Sequence, residues 1–431
     1  MPRVVILGLG VSGLGCAVEL ARRGIPFLAF EKEDRAGGLA RTDSAGGFPF
    51  DRGPHILLSA PPEIDRFLAT LDGLDLTACS ARSGIALDGD LQRVIPAPFQ
   101  RHLNHLPLAE RARLLPGILR AGRRSHPPAN YAEYVIGRCG RGVYDLFLRG
   151  YDSKRLRFPL DRLPPDWSNR IEATSLASLF GFRANGGGQR EDRFRYPREG
   201  GIEALPKAMA RLLPADSARY RHSAVEFRPE AKEVVFANGE TVSYDCLVTS
   251  LPLPETLAAI RAPPPEIRRA AESLHFTSVF VVNAAIEAPP PEWSLLRVPS
   301  EEVGFYRLSF PSRYCARRAP AGSTAVVGEI AHHAVRYPLT SDQAKEQFRG
   351  GLERLAILRR GQPVVFHAVH DIRYGHVIYD HGTAASVQRI LEYLRGHAIF
   401  PCGKYGLWKD LLIPQSILSG MEAARAIAAE W

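Results

Sequence analysis

Three glycines and one carboxylate stand at spacings that suit the grip on a dinucleotide. Gly8, Gly10 and Gly13 form G-x-G-x-x-G directly after the apolar run Val4-Val5-Ile6-Leu7, and Glu31 closes the next apolar stretch, Pro26 to Phe30. Gly8 allows a tight turn, Gly10 lets the backbone approach a pyrophosphate, and Gly13 lets a helix pack close to a strand. The helix, read over Leu14 to Arg23 with Ser12 in the loop before it, turns its N-terminus to the phosphate anion. A carboxylate at Glu31, followed by Lys32, accepts hydrogen bonds from both ribose hydroxyls and repels a 2′-phosphate, which disfavours NADP. The glycine motif by itself does not separate FAD from NAD.

The residues that follow do separate them. In Arg35-Ala36-Gly37-Gly38-Leu39-Ala40-Arg41-Thr42, paired glycines let the backbone run under a pyrophosphate while an arginine neutralises its charge. This stretch resembles the second fingerprint of the two-dinucleotide-binding flavoproteins, the superfamily of flavin amine oxidases, protoporphyrinogen oxidases, phytoene desaturases and UDP-galactopyranose mutases. The resemblance continues in blocks along the chain. Asp51-Arg52-Gly53-Pro54-His55-Ile56 is similar to a mutase segment whose histidine lies near the isoalloxazine ring, and Tyr144 to Arg170 is similar to another mutase pattern. Phe194 to Gly201 resembles the stretch where such chains return to the FAD domain, while Phe400 to Lys404 and Ser416 to Met421 resemble the last strand and final helix. The resemblance implies FAD as cofactor. It assigns to that cofactor Gly8, Gly10, Ser12, Gly13, Glu31, Lys32, Gly37, Gly38, Leu39, Ala40, Arg41, Gly53, Pro54 and His55, Val225 against the adenine, and Gly403, Ser419, Gly420 and Met421.

A flavin carries the hard chemistry itself, so the protein need only orient substrate, shield the ring and place a few polar groups. The candidates for catalysis are His55, Arg307 and Tyr379, and those for substrate binding are Tyr151, Lys154, Arg170, Arg373, Lys404, Tyr405 and Trp408. His55 follows a glycine-proline turn, and Arg307, within Phe305-Tyr306-Arg307-Leu308, resembles the mutase segment that contacts a substrate diphosphate. Two departures argue against UDP-galactopyranose itself. Leu156 stands where the mutases carry tryptophan, and Lys404, a point charge that cannot bind phosphate bidentately, stands in a stretch where they carry arginine. The expectation is an FAD-dependent oxidoreductase that removes hydride from a small molecule, sugar-derived or a biosynthetic intermediate. The alternative is a redox-neutral, flavin-dependent sugar mutase. A flavin-binding protein without turnover fits less well, given the polar groups gathered around the expected flavin.

Positioning these groups calls for an α/β chain: a Rossmann-type FAD-binding domain and a discontinuous substrate domain of antiparallel sheet plus helices. The FAD domain is expected over residues 1–80, 190–260 and 395–431, and the substrate domain, with a helical subdomain, over 81–189 and 261–394. Residues 276–283, 303–310, 324–330 and 364–370 are predicted strands of a sheet roofing the flavin, and 81–190 reads as mostly helical. Ser223 to Phe227, Glu233 to Phe236 and the Asn238-Gly239 turn predict a small antiparallel meander, and Gly186-Gly187-Gly188 a loop.

Composition bounds the rest. With 431 residues, 45% hydrophobic and 23% charged, the chain has the balance of a globular protein of two packed domains. Its net charge of +9 is spread in arginine pairs without a basic run, so nucleic-acid binding is not expected. Six cysteines lie far apart, without C-x-x-C or zinc-site spacing, as reduced thiols would. No run of about 18 apolar residues and no leader pattern is present, which predicts a cytoplasmic enzyme without an integral membrane segment, acting on a small-molecule substrate. Oligomeric state is not determined by these features.

Overall fold

The computed structural model describes residues 3–58, 60–123, 126–167, 171–181, 192–315, 319–320 and 322–430. Val4–Leu7, buried at all four positions, is the centre of a five-stranded parallel sheet, flanked by Cys246–Thr249 and Phe27–Glu31, with Ile399–Pro401 and Ala218–Tyr220 at the edges. A strand buried on both faces needs an unbroken apolar run, which is why Val-Val-Ile-Leu serves there. The helix Val11–Arg22 starts directly after Gly10, earlier than the periodicity from Leu14 predicts, because Val11, Ser12 and Gly13 form a first turn without an apolar face of its own. The last helix, Ile413–Glu430, crosses it closely. A Cβ at Gly420 would lie 1.9 Å from the Ser12 carbonyl oxygen, and one at Gly15 would lie 2.4 Å from that of Ile417.

The second large sheet has seven strands in the order Val365–Ile378, His275–Ile286, Thr324–His332, Arg307–Ser309, Leu295–Arg297, Ser83–Ala86 and Val94–Pro96. All its pairs are antiparallel except Leu295–Arg297 with Ser83–Ala86. One face, with Phe280, Val282 and Val326, packs on the helix Ser341–Arg354 through Phe348 and Leu352. The opposite face, with Val279, Val281 and Val327, looks toward the helical region around Tyr151 and Leu156. Two of the seven strands come from the segment read as mostly helical. They are short, and Ser83–Ala86 joins the sheet by pairing with residues about two hundred positions away while Val94–Pro96 pairs only with Ser83–Ala86, so no local periodicity announces them.

Ala224–Arg228, Glu233–Phe236 and Thr241–Ser243 form the expected meander. Leu108–Arg120, Tyr131–Cys139 and Arg149–Leu156, the last entered through a π-helical turn at Tyr144–Leu148, make most of the helical region. Asp51 ties Thr42, Tyr196 and the turn at Ile202 to the large sheet. Its carboxylate accepts hydrogen bonds from Thr42 Oγ1 (2.7 Å), Tyr196 Oη (2.5 Å) and the Ile202 amide (3.2 Å), and its carbonyl accepts one from Asn283 Nδ2 of the large sheet (3.2 Å). Gly186-Gly187-Gly188 lies outside the described residues.

Candidate active site

The glycine segments meet as a cradle. Gly10 and Gly37 bridge as parallel strands do, the Gly37 amide donates to the Leu9 carbonyl at 2.8 Å, and a Cβ on Gly38 would stand 3.1 Å from the Gly10 Cα. Gly8, Gly37, Gly38 and Gly53 all have positive φ, which side-chain-bearing residues rarely adopt. Gly13 is held for a different reason: a Cβ there would lie 1.9 Å from the Gly8 carbonyl oxygen, so only glycine lets the helix start so close to the strand. The buried Glu31 carboxylate accepts from the Leu9 amide (2.7 Å) and the Glu33 amide (3.0 Å), so it is anchored at the strand end beside the cradle, and Lys32 beside it is exposed. Arg41 is buried, its two terminal nitrogens engaged by Glu33 and Asp34, while its Nε has no partner among the described residues. Arg35 is paired with Glu203 at 2.6 Å. Gly403, Ser12, Ser419 and Gly420 come together as well. The Gly403 amide donates to Ser419 Oγ at 2.9 Å, and a Cβ on Gly403 would lie 2.3 Å from Ser12 Oγ. Leu39, Ala40 and Met421 pack around these segments, Pro54 leads into His55, and Val225 is 50% exposed on its edge strand.

A second polar assembly occupies the inner face of the large sheet. Arg307 forms a two-pronged pair with Glu329 through Nε and Nη2, the latter at 2.7 Å. Tyr306 Oη donates to Glu329 Oε1 at 3.0 Å and lies 3.1 Å from His376 Nε2. One hydroxyl has one proton, and the carboxylate takes it, so His376 donates through Nε2–H and keeps an acceptor lone pair on Nδ1. Facing them, Arg155 pairs with Asp152 at 3.0 Å, Tyr131 Oη donates to Asp152 at 2.8 Å, and the Tyr151 ring stands edge-on to Tyr306 with centroids 6.2 Å apart. Lys404 is paired with Asp410 at 2.7 Å. Arg155 and Arg307 retain 25% and 29% side-chain exposure although both lie deep in the molecule, and His55, His376 and Tyr405 share that combination. The surface that Arg155, Arg307, His55 and His376 keep opens onto one polar hollow, in which the cations of Arg155, Lys404 and Arg307 act on His376 and the charges of Glu329 and Arg307 on His55.

The electrostatics of this hollow keep both histidines neutral. Burial pulls the His55 imidazole below its ordinary value, and the nearby Asp51 and Glu329 only partly oppose that. Burial lowers His376 much further, reinforced by the cations of Arg155, Lys404 and Arg307. Burial also works against the charge on Arg307, but Glu329 and Tyr306 more than offset it and raise its value. The Tyr306 hydroxyl is held well above the usual phenol range by burial and then by Glu329. The result is a hollow with cations matched one to one by carboxylates, two neutral imidazoles, and the His55 Nδ1 without a partner among the described residues.

Of the predicted substrate and catalytic residues, His55, Arg307, Tyr151, Lys404 and Tyr405 fall at or beside this hollow. Four others do not. In place of a substrate contact, Lys154 is fully buried and its ammonium donates to the carbonyls of Val298 (3.2 Å) and Ser300 (2.7 Å), while burial pulls its value down to about 7. Arg373 is exposed, its guanidinium over the Tyr374 ring at 5.4 Å, because the strand's alternation turns it away. Tyr379 and Trp408 line a separate cavity of about 440 Å³ with Val387 and Leu391, which none of the central residues borders. Arg170 lies outside the described residues. Glu329, His376, Arg155, Asp152 and Tyr131 were not anticipated as site residues. A lone carboxylate in the apolar run Thr324–His332 is the signal that would have found Glu329.

A family model for flavin containing amine oxidoreductases matches residues 11–428. The chain belongs to that family. The protein is accordingly a flavin-dependent oxidoreductase with FAD as its cofactor. It is 27% identical over 376 residues to the zeta-carotene-forming phytoene desaturase of Myxococcus xanthus, covering 75% of this chain and 71% of the relative. It is 25% identical over 414 residues to a hydroxyneurosporene desaturase of Cereibacter sphaeroides, covering 84% and 76%. In fold it is similar to reduced UDP-galactopyranose mutase, with a TM-score of 0.92 at 24% identity over 100% of this chain and 96% of that one. A putative protoporphyrinogen oxidase from Exiguobacterium sp. 255-15 follows at a TM-score of 0.76 and 18% identity, covering 100% and 99%. The residues present fit FAD: a Cβ-free cradle at Gly10 and Gly38, an anchored acceptor at Glu31 and a spare buried donor on Arg41.

Proposed function

We propose that this flavin-dependent oxidoreductase oxidises a small polar substrate, sugar-derived or a biosynthetic intermediate, bound in the hollow between Arg307, Tyr306, His376, Tyr151 and His55. The observation that carries this reading is the charged and hydrogen-bonded assembly on the inner face of the large sheet, since an all-hydrocarbon substrate would seal the Arg307–Glu329 pair and the Tyr306–His376 contact away from water while adding no partner to either. FAD, when bound, supplies the acceptor for a hydride from the substrate carbon. The neutral His55 imidazole, which keeps part of its surface accessible, accepts a hydrogen bond or a proton from a substrate hydroxyl or amine as the adjoining C–H bond breaks. Tyr306, His376 and the Arg307–Glu329 pair orient the polar end of the substrate. Gly8, Gly10, Ser12, Gly13, Glu31, Gly37, Gly38 and Arg41, with Gly403, Ser419 and Gly420, hold the dinucleotide. The parallel sheet and the glycine segments form the FAD-binding part, and the seven-stranded sheet with its helices forms the substrate-binding part. Free thiols at all six cysteines support a reducing, cytoplasmic setting.

A redox-neutral sugar mutase is the second reading, supported by the Gly53-Pro54-His55 turn and Tyr306-Arg307. Weighing against it, two of the Arg307 nitrogens are already engaged by Glu329, and Lys404 by Asp410. Anaerobic titration of the FAD-loaded protein with candidate polar substrates separates the two readings. Oxidation bleaches the flavin absorbance in proportion to substrate added. Turnover seen only after dithionite reduction, with no bleaching, overturns the oxidoreductase reading in favour of the mutase.

A further inference from the structure

The helix Leu108–Arg120 has more apolar surface than its neighbours cover. Leu114 and Ile118 face inward and are buried. On the outward side lie Leu108, Ala112 and Leu119, with Leu108 72% and Leu119 43% exposed, while Leu115 beside them is half-buried against the same core as Leu114 and Ile118. The short helix Leu176–Phe180 lies against Leu108–Arg120, held by Arg111, which donates to the Leu179 carbonyl at 2.9 Å, and adds Leu176 at 42% exposure. The charges beside these leucines are of one sign. Residues 107–123 contain four arginines and one acid, Glu110, which is turned onto Arg93 at 2.9 Å. Arg113, Arg120 and Arg123 are exposed and have no carboxylate partner among the described residues.

From this juxtaposition we infer that the helix Leu108–Arg120 docks the protein on an anionic lipid bilayer surface. The helix lies in the plane of the interface, with Leu108, Leu119 and Leu176 at the acyl boundary and Arg113, Arg120 and Arg123 at the lipid phosphates. A second copy of this chain fits the same face poorly. A two-fold contact would bring the unmatched arginines of both copies together without carboxylates to meet them.

The test is co-sedimentation of the FAD-loaded protein with large unilamellar vesicles. One set is equimolar phosphatidylglycerol and phosphatidylcholine, the other pure phosphatidylcholine. Binding is expected to the anionic vesicles and not to the neutral ones. Leu108→Ser/Leu119→Ser, which leaves the charge unchanged, should weaken it by about tenfold per leucine, and Arg113→Gln/Arg120→Gln by about fivefold per arginine. Both variants are at exposed positions and should keep full FAD content, which verifies their fold. Failure of the parent to bind anionic vesicles overturns the inference, as does undiminished binding by the serine variant, which would make the attraction one of net charge alone. A dimer by light scattering that the serine variant dissociates also overturns it, assigning the face to a second copy.

Discussion

His55 and Glu329 illustrate two kinds of residue within one hollow. His55 has a neutral ring whose buried Nδ1 has no partner among the described residues, so its removal subtracts a polar group without stranding another. His55→Ala is expected to retain FAD, measured by the absorbance of the purified protein, while the rate of substrate-driven flavin bleaching falls by about a hundredfold, the scale of one positioned polar group. Parental bleaching with normal FAD content would remove His55 from the site. Glu329 is different, because Arg307 and Tyr306 both depend on it. Glu329→Ala leaves a guanidinium deep in the molecule without its counter-charge. Urea denaturation should show a loss of about 3 kcal/mol, the scale of breaking a buried pair from one side. A variant as stable as the parent would mean that the pair is solvated well enough to contribute little.

Glycines at the element scale separate folding from cofactor binding. A Cβ at Gly10 meets nothing nearer than the Gly38 Cα at 3.9 Å, so the polypeptide accommodates a side chain there. The space that a valine would take is that left open for the pyrophosphate. Gly10→Val is therefore expected to fold, with unchanged circular dichroism, and to be purified colourless. Gly420 stands in the crossing of the first and last helices, where a Cβ would lie 1.9 Å from the Ser12 carbonyl oxygen. Gly420→Ala should push these helices apart and lower the thermal midpoint by about 1–3 °C, the scale of overpacking a core contact in a chain of this length. Equal midpoints for Gly420→Ala and the parent would show that the crossing relaxes freely.

The buried histidines set a pH dependence for the whole molecule. His55 and His376 have folded values below the ordinary imidazole range, so below about pH 6.5 the unfolded chain binds protons that the folded one refuses. Stability is thus complete above about pH 6.5 and declines as the solution is acidified, by at most about 1.4 kcal/mol per pH unit for each such group. The thermal midpoint should fall between pH 7.5 and 5.5. His376→Gln, which keeps a hydrogen-bonding side chain without the titration, should flatten that fall, and an identical slope in the variant would exclude His376 as its source. Among the described residues, no helix is long and apolar enough to cross a membrane, and no cluster of histidine, cysteine and carboxylate side chains suits a metal ion.

Much of the dinucleotide cradle was legible in the sequence because its signals are local. Gly8, Gly10 and Gly13 are set by steric demands between residues a few positions apart, Val4–Leu7 by burial on both faces, and the Asn238-Gly239 turn by its own backbone preference. The hollow was only partly legible. Arg307 read as an anion contact until strand register set it opposite Glu329, and Tyr306 acquired a partner in His376 seventy positions away. Lys154 read as a substrate lysine until the loop at Val298 to Ser300 came within reach of its ammonium. Two strands of the large sheet, Ser83–Ala86 and Val94–Pro96, likewise exist through pairing that begins with Leu295–Arg297. Spacing along the chain determined which residues could grip a dinucleotide, because that grip is built within one turn of backbone. Which charges remain open to a substrate was decided by tertiary structure alone, because a cation is matched or left free according to which distant carboxylate the strand register brings beside it.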